Sequence, residues 1–286
     1  MNLLLGAHMS TTGGLHTALE RGASIGCTAI QIFTRNSNQW RSKPLTEAEI
    51  ATYKSAQVKA RIQHVVTHAS YLINLCSTNK QTAHLSRVAF IDELRRCDAL
   101  GIRSLIFHPG SHTGAGEETG LRAIADALNR AHEETPECKT MSTLESTAGQ
   151  GTNLGHRFEQ LATIIELVKA PERMAVCIDT CHLFAAGYPI HTEEGWGNTM
   201  DEFHRILGIQ RIIAVHVNDS MKGFGSRLDR HEHIGKGEIG LTAFRMLMND
   251  RRFDSVPKIL ETEKDEEMKE DVENMATLSS LIRKPD

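Results

Sequence analysis

The chain has 286 residues, 40% of them hydrophobic and 24% charged, with 15 histidines, 6 cysteines and a formal net charge of −4. That composition is ordinary for a soluble globular protein. No apolar run approaches the roughly 18 residues of a membrane span, and there is no basic tail of the kind that binds nucleic acid nonspecifically. The opening MNLLLGAHMS lacks the basic region and small-residue cleavage site of a secretory signal. The scattered cysteines Cys27, Cys76, Cys97, Cys138, Cys177 and Cys181 therefore read as reduced, small apolar side chains in a cytoplasmic protein.

Taken in chain order, β-rich runs alternate with amphipathic segments. Strands are predicted over 3–8, 29–33, 64–68, 104–108, 140–145, 174–179, 212–219 and 257–262. Between them, TEAEIATYKSAQVKA opens on a Thr46–Glu49 capping-box pattern. TAHLSRVAFIDELRRCDALG carries apolar residues at helical spacing and stops at Gly101. LRAIADALNRAHEE, RFEQLATIIELVKA, MDEFHRILG, LTAFRMLMND and the stretch around MKEDVENMATLSSLI complete the helices. Strands recurring about every 35 residues predict an α/β fold, a closed (β/α)8 TIM barrel, with an open doubly wound sheet as the alternative. No linker or composition break divides residues 1–286, so a single barrel domain is expected.

The strands share an ending. Their last residues are His8, His68, His108, Glu145, Asp179, His216 and Glu261. In a parallel barrel these ends meet at one mouth, where active sites are built. Clustered carboxylates and imidazoles repel or stay unpaired unless cations join them, so divalent metals are expected there. Asp179 and His182 are two donors from one strand end and its loop, and Asp229 and His231 in LDRHEH are two more at D-x-H spacing. Cys177 and Cys181 lack the C-x-x-C spacing of a thiolate zinc site and read as packing residues. Mixed imidazole and carboxylate donors favour zinc, with manganese or iron as substitutes, and their number calls for two or three ions. Such a site suits phosphodiester hydrolysis.

Over nearly its whole length the chain resembles the endonuclease IV family of zinc-dependent apurinic/apyrimidinic endonucleases. GAHMSTTGGL, FTRNSNQWR, THASYLINL, FHPGSH, LESTAGQGTNLG, CIDTCHLFAAGY, HVNDS, FGSRLDRHEHIGKGEIG and ILET carry the resemblance, in that order. It implies a TIM barrel with three zinc ions. His68 and His108 would hold the first, Glu145 would bridge to a second held by Asp179, His216 and Glu261, and His182, Asp229 and His231 would hold the third. It further implies incision of DNA on the 5′ side of an abasic sugar, leaving a 3′-hydroxyl and a 5′-deoxyribose phosphate, and trimming of blocked 3′ ends in base excision repair. Glu145 would assist the attacking water.

Three divalent ions would add about +6 to the formal −4, so the positive field would be local to the mouth. Loop residues would supply the remaining contacts with duplex DNA: Arg35, Gln39, Trp40, Tyr71, Arg227 and Arg230, with Arg41 and Lys222 as further candidates. His8 is expected to stand behind the ligands or to meet DNA. One departure is Asn38, where family members often carry Arg before the Gln-Trp pair. His16, His64, His84, His132, His156, His191 and His204 read as solvated, and His112 and His233 as loop residues near the mouth. The acidic ETEKDEEMKED reads as a solvated helix start. A monomer without membrane association is expected. A metal-dependent sugar isomerase or epimerase, which relies mainly on carboxylates, and a non-catalytic metal- or DNA-binding protein are the competing readings. Metal count and incision of an abasic oligonucleotide separate them.

Overall fold

A computed structural model describes residues 3–283. Eight parallel strands form its centre: β1 (Leu5–Ala7), β2 (Ala29–Ile32), β3 (His64–His68), β4 (Ser104–Phe107), β5 (Met141–Glu145), β6 (Met174–Asp179), β7 (Ile212–His216) and β8 (Lys258–Leu260). They pair in the order β1-β8-β7-β6-β5-β4-β3-β2. The ring closes between its two ends: Thr28 N donates to Leu5 O at 2.9 Å, Met9 N donates to Gln31 O at 2.8 Å, and His8 bridges Gln31 in parallel. Gly6 permits this closure, because a Cβ there would collide with the Ala29 carbonyl. The fold is a TIM barrel.

The helices α1 (Leu15–Ser24), α2 (Glu47–Ala60), α3 (Lys80–Leu100), α4 (Glu117–Glu133), α5 (Phe158–Leu167), α6 (Thr180–Ala186), α7 (Glu193–Leu207), α8 (Leu241–Asn249) and α9 (Lys269–Ser280) complete the alternation. α2 carries the expected capping box, with Thr46 accepting from Glu49 N, and α3 ends at Gly101 with φ 78°. Two helices are not announced by the sequence pattern. α1 follows Gly14, which offers no side-chain cap, and α6 is a short, almost wholly buried turn hidden in the apolar run after Asp179. α7 begins well before the predicted residue 200, because Gly195 and Gly197 obscure a start capped by Thr192. The acidic stretch is loop until Lys269, and its Asp271 is buried against Lys264 Nζ at 2.5 Å. β7 ends at His216 rather than 219; Asp219–Ser220 instead pairs antiparallel with His231–Glu232.

Alternation along the strands builds two cores. Outward residues such as Val176, Ile178, Leu144 and Val215 pack under the helices, whereas Leu4, Ala29, Val66, Ile106, Cys177, Ala214 and Ile259 fill the barrel interior. Two residues further along each of six strands comes the next inward position: Gln31, His68, His108, Asp179, His216 and Glu261. Among the described residues no helix is long and apolar enough to cross a membrane.

Candidate metal centre

Glu145 ends β5 fully buried at the middle of the mouth. Its Oε2 lies 3.1 Å from His68 Nε2 and 3.4 Å from His108 Nε2, and its Oε1 lies 2.8 Å from His216 Nδ1. Glu261 Oε2 approaches the same His216 nitrogen at 3.1 Å. Asp179 caps α6 by accepting from His182 N at 2.8 Å, which places His182 one helical turn on from its own carboxylate. A helix N-terminus, not a loop, therefore presents that pair. Asp229 sits between two imidazoles, 3.1 Å from His182 Nε2 and 3.4 Å from His231 Nε2. All nine side chains named as ligands from the sequence are thus brought to one cluster.

Their donor atoms fall into groups within 4.8 Å of one another: His68, His108 and Glu145; Glu145, Asp179, His216 and Glu261; and His108, His182 and Asp229. His231 groups with Asp179 and Cys181 and touches the third group through Asp229. Cys181 keeps its packing role: burial pushes its thiol up to about 12, and Sγ donates to Arg230 O at 3.5 Å. His182 Nε2 and His231 Nε2 are buried with no hydrogen-bond partner, although carboxylate oxygens are near. Buried nitrogens aimed among carboxylates without bonding them fit a cation between them.

The electrostatics carry the same message. Burial opposes charge on Glu145, His108, His182, His216 and Asp229, yet their neighbours overcome it. His216 and His108 hold the Glu145 carboxyl well below the ordinary carboxylate range. Asp179 and Asp229 lift His182 well above an ordinary imidazole, Cys177 with Glu145 and Glu261 does so for His216, and Glu145 raises His108. His182 and His231 depress Asp229. Four buried or half-buried carboxylates demand positive charge, and protons on imidazoles supply it when metal ions do not. Nitrogen and oxygen donors in this mixture suit zinc, manganese or iron.

Several supporting residues escape sequence reasoning. Gln31 and Asn218 are fully buried behind the ligands. Asn218 Nδ2 donates to Asp179 Oδ2 at 2.7 Å, and its Oδ1 accepts from Glu261 N at 2.8 Å. Gln31 is missed by a reading that ends β2 at Phe33; counting in twos from Ala29 lands on it. His8 touches no ligand side chain of the cluster by hydrogen bond and reaches it through Gln31. Burial, against the pull of Glu261, pushes His8 down to about 3, so it is neutral.

The residues expected to contact DNA are spread around the rim. Tyr71 is 65% exposed, with its ring 5.3 Å from Phe33 and 5.4 Å from His68. Gln39, Arg227 and Arg230 are exposed, and Trp40 is half-buried against the core. Arg35 departs from the expectation. It is buried, paired with Asp92 at 3.4 Å and Glu93 at 3.9 Å, and bonded to Gln39 O at 2.5 Å, so it ties down its own loop. His132, expected to be solvated, is also buried, with Nε2 2.9 Å from Ser142 Oγ on the outer face of β5.

A family described as xylose isomerase-like TIM barrel matches residues 19–280. A protein named probable endonuclease 4 from Geobacter sulfurreducens is 51% identical over 284 residues, covering 99% of this chain and 96% of that relative. The crystal structure of endonuclease IV from Thermus thermophilus superposes with a TM-score of 0.85 at 31% identity, covering 97% of this chain and 98% of the other. A D-tagatose 3-epimerase-like protein shares the fold alone, with a TM-score of 0.75 at 19% identity over 98% of this chain and 97% of its own. With half its residues shared with such a relative from end to end, a matching barrel, and nine imidazole and carboxylate donors gathered at its mouth, the chain belongs to the endonuclease IV family.

Proposed function

We propose that the protein is a metal-dependent apurinic/apyrimidinic endonuclease of DNA repair, a phosphodiester hydrolase that cuts on the 5′ side of an abasic site and trims blocked 3′ ends. The convergence of the nine donors around Glu145 carries this reading. Three zinc ions, with manganese or iron as substitutes, fit the donor set. His68, His108 and Glu145 would hold one; Glu145, Asp179, His216 and Glu261 a second; His182, Asp229 and His231 a third. Bound there, such ions lower the pKa of water and neutralise phosphoryl charge.

The chain's own residues do the rest. Ionised Glu145 faces His68 and His108 with one oxygen and His216 with the other, so it spans two groups and can hold an attacking water between them. Tyr71 offers an exposed aromatic face beside His68, where an extruded abasic sugar has no base of its own to stack. Gln39, Trp40, Arg227 and Arg230 lie on loops at the C-terminal face of the barrel and would meet the backbone phosphates of the duplex. Arg35 supports the Gln39 loop from beneath. Asn38 leaves that loop without the charge family members often carry there. The protein acts as a cytoplasmic monomer on duplex DNA.

The test is incision of a duplex carrying one synthetic abasic site. Product with a 3′-hydroxyl immediately 5′ of the lesion supports the reading, as does its loss in His108→Ala and Glu261→Gln with the fold retained. Either variant cutting as fast as the parent overturns the site, and epimerisation of a ketose by the parent would favour the sugar-enzyme alternative.

A further inference from the structure

The ligand histidines do not all present the same nitrogen. His68 Nδ1 donates to Ala69 O at 2.7 Å and His182 Nδ1 to Ser146 O at 2.8 Å, and His231 Nδ1 faces Glu261 O at 3.4 Å. Each of these turns Nε2 towards carboxylates. His216 is reversed. Its Nδ1 faces Glu145 and Glu261, and its Nε2 lies 2.8 Å from Gln31 Oε1. The outer nitrogen of the His216 ring is held by a side chain, where those of His68, His182 and His231 face backbone carbonyls.

The Gln31 amide has a single orientation consistent with its neighbours. Its Nε2 lies 2.5 Å from Glu261 Oε1 and 3.0 Å from His8 Nδ1. Turned over, its oxygen would sit against a carboxylate oxygen at hydrogen-bond distance, which repulsion forbids. Both amide hydrogens are therefore spent, one on Glu261 and one on His8. Its oxygen must accept from His216 Nε2–H. That bond fixes the tautomer of His216 and leaves the Nδ1 lone pair for a cation. The Gln31 Nε2–H in turn holds Glu261 Oε1, leaving Oε2 as the oxygen that faces His216 Nδ1.

We infer that Gln31 is a positioning residue that selects which nitrogen of His216 and which oxygen of Glu261 are offered to the metal. His8 serves it by accepting the second amide hydrogen, and Asn218 does the parallel work for Asp179. The inference rests on the metal-dependent reading of the mouth. Nothing in it requires Gln31 to touch substrate.

Two measurements test it. Nitrogen NMR of isotopically labelled, zinc-loaded parent protein is expected to show His216 bonded through Nδ1 and protonated at Nε2, and the opposite pattern overturns the inference. Gln31→Met keeps the length and removes all three bonds. Chelator competition is expected to show one ion held about 10- to 100-fold more weakly, with the metal-free protein melting within a few degrees of the parent. Gln31→Glu, which sets a like charge against Glu261, is expected to lose the same ion. Parent-like metal affinity in Gln31→Met overturns the inference while leaving the metal reading intact. A parent that retains no zinc, manganese or iron overturns both.

Discussion

The barrel interior has two layers, and they are opposites. The lower layer, Leu4, Ala29, Val66, Ile106, Cys177, Ala214 and Ile259, is apolar and buried. The upper layer, one pleat period further along the same strands, is Gln31, His68, His108, Asp179, His216 and Glu261. Backbone and direction are shared, so only side-chain chemistry changes across a step of two residues. The lower layer is satisfied by packing alone. The carboxylates and imidazoles of the upper layer call for cations, and they stand on a packed apolar floor. A dry plug beneath a charged ring is how the fold holds ligands from six strands in fixed relation.

The largest effect is expected at the mouth, where Glu145 joins the upper layer from the end of β5. Glu145→Gln removes the carboxylate shared by two donor groups. It should lose roughly 4 kcal/mol of transition-state stabilisation, about a thousandfold in incision rate, with a folded barrel by circular dichroism. Cutting the lower layer should do the reverse. Ile106→Ala, fully buried, should cost about 2–5 kcal/mol in urea unfolding, while the folded enzyme keeps its metal content and rate. Loss of metal at constant stability in that variant would contradict the division.

Histidines sharpen it further, because burial alone and burial among carboxylates shift them oppositely. Burial, with Arg173 nearby, pushes His132 down to about 4 from the ordinary 6.5. The folded state then binds fewer protons than the unfolded chain between those values. Stability is present above pH 6.5 and lost as pH falls towards 4, by about 3 kcal/mol. His132→Gln should flatten that slope in urea unfolding at pH 7 and 4.5. At the mouth the sign reverses. In chelated protein, raised His182 and His216 contribute stability below about pH 6.5 that is lost as pH rises through their folded values. With metal bound, acid should instead displace the ions. The smallest effect lies far from both layers: Thr46→Ala deletes the α2 capping box and should cost about 1 kcal/mol, without changing rate or metal content.

Much of this is legible in the sequence because two signals coincide at the strand ends. Apolar runs bounded by His, Asp or Glu mark both where a strand stops and what it delivers, so six of the nine donors can be named from strand ends, while His182, Asp229 and His231 come from local spacing and the family resemblance. The residues that escape are those whose type says little. Gln31 and Asn218 are neutral amides that become informative only when period-two counting is carried through to the mouth. Helix α6 hides because a helix used wholly inside the fold has no amphipathic face. His132 and Arg35 defy expectation for a related reason. Polar side chains on outward faces are normally solvated, and only a tertiary partner, Ser142 for one and the Asp92–Glu93 pair for the other, takes them inside.

That scattered strand ends deliver one cation cluster, which splits DNA beside a missing base, is a statement about metal occupancy and rate together. It is tested most directly by titrating a chelator into the enzyme while counting ions per chain and following incision at a single abasic site. The account predicts close to three ions at the outset and activity that disappears as they leave and returns with zinc. Undiminished incision by protein stripped of metal would contradict it.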